Sequence, residues 1–236
     1  ARCPSGDRDE RGWAKVSASK ALIVLNGTPP AKRLLRTLVR AADIVVAADG
    51  GSRPLLDANL PFQAVIGDLD SAPESILQPA NEDFEVIHDT SQDTTDVEKA
   101  LHWILHCTDA RDIILTASQS AEIDHVLATY SVCARYAHRG RVRIVEDGCL
   151  IHFVTDEAEL HVPQGTTLSL LGLPSAEGIR THGLRWPLVA EALRFGARDG
   201  VHNEVMENPV RLSIRGGCLG VFLSRNRSDP FHWPTS

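Results

Sequence analysis

From residue 20 onward the chain alternates short β-branched apolar runs with longer stretches of helical spacing. ALIVLN (21–26), DIVVAA (43–48), AVIG (64–67), EVIH (85–88), DIILTA (112–117) and RVRIVE (141–146) read as strands. Most are too uniformly apolar to leave one face in water, so they need cover on both sides. AKRLLRTLVRAA (31–42), TTDVEKALHWILHC (94–107) and HVLATYSVCARYAHR (125–139) carry apolar residues at helical spacing and supply that cover. The pattern predicts an α/β N-terminal domain with a mostly parallel sheet. After Gly148 it changes to short alternating strands broken by Gly and Pro: CLIHFVT, AELHVP, TTLSLLGLP and VRLSIRGGCLGVFLS. That is the pattern of a smaller all-β sandwich. One stretch there, WPLVAEALRFG (186–196), suits a helix and equally a strand with a loop. The organisation expected is a polar arm over 1–19, an α/β domain over 20–148 and a β-sandwich domain over 149–236, with no internal repeat.

Composition narrows the function classes. A chain of 236 residues can bury a substantial core as one large or two modest domains, and 43% apolar with 23% charged residues marks a globular protein. The net charge of −7 argues against nucleic acid as the main partner, which calls for a basic face. Cys3, Cys107, Cys133, Cys149 and Cys218 are odd in number, widely spaced and without a CxxC pair. Reduced thiols, and hence a cytoplasmic setting, fit them better than a disulfide framework or a zinc site. No apolar run approaches the roughly 18 residues that span a bilayer, and ARCPSGDRDERGW lacks the apolar core of a signal peptide.

The candidate chemistry lies where apolar runs end in acids: Asp49 in AADGG, Asp68 and Asp70 in IGDLDS, Asp96 in DTTDVEKA and Asp124 in IDH. A strand that ends in an acid and runs on into a helix puts that carboxylate at the carboxyl edge of a parallel sheet, where open α/β folds bind ligands. Gly50 and Gly51 free the turn after Asp49 or let a ligand approach the backbone. Asp68 and Asp70, two apart in a tight loop, can both face one cation. Hard carboxylate oxygens gathered at one edge suit Mg²⁺ carrying a polyphosphate. Helix capping explains Asp49, Asp93 and Asp124 equally well. Lys99 reads as a solvent-facing helical charge.

The ordered set ADGG, GDLDS, Q-D-x-T-D-x-x-K-A (from Gln92), I-D-H and T-x-G-L-x-W-P-L (Thr181 to Leu188) resembles the thiamine pyrophosphokinase family over about residues 20 to 223. The resemblance implies an α/β nucleotide-binding catalytic domain, a β-sandwich thiamine-binding domain and a homodimer with active sites between subunits. It implies transfer of a pyrophosphoryl group from ATP to thiamine with release of AMP. It assigns Mg²⁺ to Asp68, Asp70 and Asp96, which are also the catalytic acids, and lines the nucleotide and phosphate region with Asp49, Gly50, Gln92 and Asp124. Trp186 matches the tryptophan that stacks on thiamine, and Asn203 the asparagine of a substrate-contacting segment. An aromatic face is a sound partner for a cationic thiazolium.

Three segments depart from the family pattern. Ser120, Ala121 and Glu122 stand where it has G-G-R, so an acid replaces a phosphate-binding cation. Ser91 stands where many relatives have Asp, and Gly200, Val201 and His202 stand where S-T-S precedes Asn203. Lys99, Arg53 or Arg180 would be the cations to compensate. Two other readings follow from these changes: a diverged pyrophosphokinase for another hydroxymethyl acceptor such as a pterin, and a nucleotide- or thiamine-binding module without catalysis.

Overall fold

The structure is a computed structural model that describes residues 17–76 and 84–225; most of the predicted arm lies outside them. The chain divides into two compact units, parting between Val132 and Cys133.

The first unit holds β1 (Lys20–Val24), α1 (Lys32–Ala41), β2 (Ile44–Ala48), α2 (Ser52–Asp57), β3 (Ala64–Gly67), β4 (Glu85–His88), α3 (Asp96–Cys107) and β5 (Asp112–Thr116). Its strands run parallel in the order β4-β3-β2-β1-β5. β1, β2, β3 and β5 are buried almost throughout, as their apolar runs require. α1 buries Leu34, Leu35, Leu38 and Val39, and α3 buries Leu101, Trp103, Ile104 and Leu105, the two faces that helical spacing predicts. The edge strand β4 buries only Ile87. Register fixes the functional edge: Val24 pairs with Ala47 and Thr116, Ala48 with Ile66, and Gly67 with His88. Residues that follow these positions therefore emerge side by side at the carboxyl ends of the strands. Helix α4 (Ile123–Tyr136) contains the point of division.

The second unit continues with β6 (Arg141–Val145), β7 (Cys149–Val154), β8 (Glu157–Leu160), β9 (Thr167–His182), β10 (Val189–Arg194), β11 (Gly200–Glu204), β12 (Val210–Ser213) and β13 (Gly216–Ser224). The order is β6-β7-β13-β9-β12-β8, with β10 and β11 also pairing with β9. β6, read from its sequence together with the parallel strands, pairs antiparallel with β7. The sixteen-residue β9 is the spine: β13 and β11 flank its first half, and β12 and β10 meet its second. Leu168, Leu170, Ile179, Leu184, Leu193, Val205, Leu212 and Leu219 form the core of this unit. The helix-compatible stretch 186–196 is not a helix; it supplies β10, whose backbone joins β9 and whose one buried side chain is Leu193. Among the described residues no helix is long and apolar enough to cross a membrane.

Candidate active site

A cavity of about 440 Å³ opens at the carboxyl edge of the parallel sheet. Each element contributes at its end. Leu25, Asn26 and Gly27 follow β1, Asp49 follows β2, Asp68, Asp70 and Ser71 follow β3, and Ala117, Ser118 and Ser120 follow β5. Asp96 and Lys99 come from the first turn of α3, with Glu122, His125, Ala128 and Thr129 at and within the start of α4. α3 begins where it does because Thr95 caps it, its Oγ1 accepting from the Glu98 amide.

Within this cavity, carboxylate oxygens of Asp49, Asp68 and Asp96 lie within 4.8 Å of one another. Asp49 is buried with φ 45°, in the left-handed region, so its carboxylate turns back over the strand ends. Its Oδ2 accepts from the Ser71 amide at 3.2 Å, while its Oδ1 is buried without a hydrogen-bond partner among the described residues. Gly67 makes the approach possible, since a Cβ there would lie 3.0 Å from Asp49 Cβ and 3.1 Å from Asp96 Oδ1. Leu69 (φ 66°) and Ala117 (φ 59°) are also left-handed, which places three non-glycine residues of unfavourable backbone conformation at one site. Strain of this kind persists where surrounding structure enforces it, and it clusters at functional sites.

Acid dominates the electrostatics of the cavity. Burial raises the pKa of Asp49, and the nearby Asp96 charge raises it further. Burial also raises that of Asp96, Asp68 and Asp70 add to the effect, and Lys99 works against it. Lys99 is not the solvent-facing charge its helical position suggested: it is 7% exposed, and its Nζ donates to Asp96 Oδ1 at 3.1 Å. It is the one lysine or arginine lining the cavity among the described residues, against five acids. Three converging hard carboxylates with an orphaned buried oxygen fit a divalent cation such as Mg²⁺.

Asp70, expected among the metal acids, lines the cavity but stands outside the close cluster; it is exposed and accepts from Ser71 Oγ at 3.0 Å. Asp49, expected near the nucleotide, belongs to the close cluster, the left-handed turn bringing it inward. Gln92 lines the cavity from an exposed position, and Gly50 is buried behind Asp49, where a Cβ would strike the Asn26 side chain. Asp124, expected beside the nucleotide, is exposed and does not line the cavity. Glu122, His125 and Ala128 line the cavity at the start of α4. Glu122 Oε2 lies 3.5 Å from His125 Nδ1. Of the compensating cations considered, Arg53 is exposed and does not line the cavity, and Arg180 belongs to the second unit. Asn26 and Ser118 complete the site without a motif that marks them in the sequence.

Trp186 and Asn203 also lie in the second unit. The Trp186 side chain is exposed, and Asn203 is buried with its carboxamide bonded to the Trp186 backbone.

Comparison with known proteins gives the family. The family model described as thiamin pyrophosphokinase, catalytic domain, matches residues 35–145, and that described as thiamin pyrophosphokinase, vitamin B1 binding domain, matches residues 150–219. Thiamine pyrophosphokinase 1 of Arabidopsis thaliana is 30% identical over 229 residues, with 84% of each chain covered. The chain belongs to the thiamine pyrophosphokinase family. A more distant relative, thiamin pyrophosphokinase 1 of Caenorhabditis elegans, is 26% identical with 86% of this chain and 88% of that protein covered. Among solved structures, the thiamine pyrophosphokinase of Bacillus subtilis superposes with a TM-score of 0.74 at 19% identity, covering 87% of this chain and 99% of that one. The yeast thiamin pyrophosphokinase superposes at 0.70 and 14% identity, covering 90% and 91%. These two likenesses carry the fold: an α/β unit followed by a β-rich one.

Proposed function

We propose that this member of the thiamine pyrophosphokinase family transfers a pyrophosphoryl group from ATP to the hydroxyl of thiamine, giving thiamine diphosphate and AMP with Mg²⁺. The observation that carries the reading is the Asp49, Asp68 and Asp96 cluster, with its unpaired buried oxygen, in a cavity with five acids and one lysine. Such a cavity repels a bare polyphosphate and accepts one that arrives with metal. Asp49, Asp68 and Asp96 would hold Mg²⁺, which supplies charge neutralisation of the phosphates as the hydroxyl attacks the β-phosphorus and AMP leaves. Asp70 and Gln92 border the same space and complete the phosphate-facing edge. Lys99 holds Asp96 in place and opposes the rise that burial gives its pKa. The exposed Trp186 ring offers its π-face to the thiazolium cation. We assign the protein to the cytoplasm and to a homodimer with active sites between subunits, for which light scattering should give twice the mass of one chain. A pterin acceptor and a module without catalysis gain no support from family matches that span both units.

The test is product analysis after incubation with ATP, Mg²⁺ and thiamine. AMP and thiamine diphosphate in equal amounts are expected. ADP with thiamine monophosphate, or no product, would overturn the reading.

A further inference from the structure

We propose that Asn203 is a positioning residue that acts on the acceptor only through Trp186. The inference rests on the functional reading above, in which Trp186 carries the cationic acceptor, and it changes the role that resemblance gave Asn203, that of touching the substrate.

The geometry begins in the backbone. Residues 183–186 lie against β11 and the residues after it in an antiparallel register. Leu184 bridges Val205, the Arg185 amide donates to the Glu204 carbonyl at 2.9 Å, and the Met206 amide donates to the Gly183 carbonyl at 2.8 Å. One step further that register sets Trp186 opposite Asn203. There the side chain of Asn203 replaces the ladder. Its Oδ1 accepts from the Trp186 amide at 3.1 Å, and its Nδ2 donates to the Trp186 carbonyl at 2.7 Å. One carboxamide thus satisfies both polar groups of the Trp186 backbone, as a peptide unit would. The same Oδ1 also accepts from the Glu204 amide at 2.9 Å, which ties Asn203 to its own strand. The residue before it, His202, is left-handed (φ 56°) and interrupts the β11 pairing with β9.

Burial separates the two roles. Asn203 is 5% exposed and its oxygen is doubly used, so it is spent on the protein; Trp186 is 57% exposed. The ring is held independently. The Arg185 guanidinium lies 5.2 Å from the ring centroid, and Glu204 Oε2 holds that guanidinium at 2.9 Å. Adjacent residues on each strand therefore hold Trp186 twice, by its backbone through Asn203 and by one ring face through Arg185. A cationic acceptor must stack on the face that Arg185 leaves open, because two cations on one face would repel each other. Fixing the ring before the acceptor arrives removes an ordering cost from binding.

The experiment is a double-mutant cycle read by calorimetric titration of thiamine, with W186A, N203A and the double variant. W186A and N203A are each expected to weaken thiamine binding roughly tenfold, the scale of one cation–π contact. N203A should cost nothing further once Trp186 is gone, with Mg·ATP affinity unchanged throughout. Trp186 emission, taken as the difference from W186F, should lose anisotropy in N203A. Losses that add in the double variant would show Asn203 touching thiamine itself and overturn the proposal, as would a W186A variant that binds thiamine normally. Asn203→Asp guards against a folding defect: it keeps the acceptor and loses the donor to the Trp186 carbonyl. It should give a smaller loss that also vanishes in the W186A background. A wild-type chain that binds no thiamine would overturn the functional reading itself and this inference with it; additive losses overturn only this inference.

Discussion

A carboxylate with one oxygen buried and unpaired, beside two further acids, opposes folding, and Asp49 is such a group. Its raised pKa means that the folded chain holds the proton more tightly than the unfolded chain does. The metal-free fold therefore gains stability as pH falls into the ordinary carboxylate range and loses it as pH climbs through the raised value. Asp49→Asn, which tolerates the left-handed backbone, should raise the melting temperature of the metal-free protein at neutral pH by roughly 3 °C, equivalent to about 1 kcal/mol. It should also lower turnover by orders of magnitude. Calorimetry at neutral and acid pH checks the first effect, which should fade once the wild-type carboxyl is protonated; Mg²⁺ should raise the melting temperature of wild type alone. Glu122 gives a second prediction. It lines the cavity where the family pattern has an arginine, and its pairing with His125 is exposed and contributes little. Glu122→Arg should tighten Mg·ATP roughly tenfold without changing stability, a forked donor replacing a repelling charge. An unchanged affinity would show that the phosphates lie away from α4. Much of this site was legible because acids at strand ends converge in any parallel sheet. The inward turn of Asp49 was not, since it depends on a left-handed backbone. Nor was the burial of Lys99, which depends on how α3 is seated.

Elements were legible in proportion to their local pattern. The five parallel strands and three long helices follow from apolar runs and helical spacing within a few residues. The six-residue α2 is too short to show a period. The sequence pattern ends β9 at Pro174, because Gly and Pro look like breakers. The chain instead carries the strand on to His182, with Pro174 beside the register shift between Gly217 and Leu219, where a missing N–H does no harm. In 186–196 the apolar spacing fits a helix as well as it fits β10, and pairing along β9 decides between them. The β6–β7 pair makes its own prediction. His152 of β7 lies opposite Arg143 of β6, both buried, and burial together with Arg143 and Arg141 lowers the histidine pKa to about 3. The folded state keeps His152 neutral while the unfolded chain takes up a proton near pH 6.5. Stability from this group is whole above that pH and is lost as pH falls toward 3, by up to about 1.4 kcal/mol per pH unit. Denaturant unfolding at pH 7, 6 and 5 should show that slope in wild type and its absence in His152→Phe. Equal slopes would mean that His152 is protonated in the fold.

At the scale of the molecule, the two chemistries the reaction needs are divided between two kinds of architecture. A parallel sheet gathers carboxylates at one edge, where the proposal puts metal and phosphate, whereas the antiparallel unit exposes an aromatic side chain from a pinned turn. A net charge of −7 suits neither ligand phosphate nor nucleic acid alone, which is why the proposed reaction brings metal with the nucleotide. This division predicts two separate footprints in amide hydrogen exchange. ATP with Mg²⁺ should slow exchange after the strand ends, at Asn26 and Gly27, at Asp68 to Ser71 and at Ser118 to Ser120, which all border the acidic cavity. Thiamine should slow it at Leu184 to Trp186 and at Asn203 to Met206, where the turn and β11 hold each other. Asn203→Ala should move the second footprint to roughly tenfold higher thiamine and leave the first unchanged. Thiamine protection confined to the acidic cavity would place the acceptor on the first unit alone and remove Trp186 from the site.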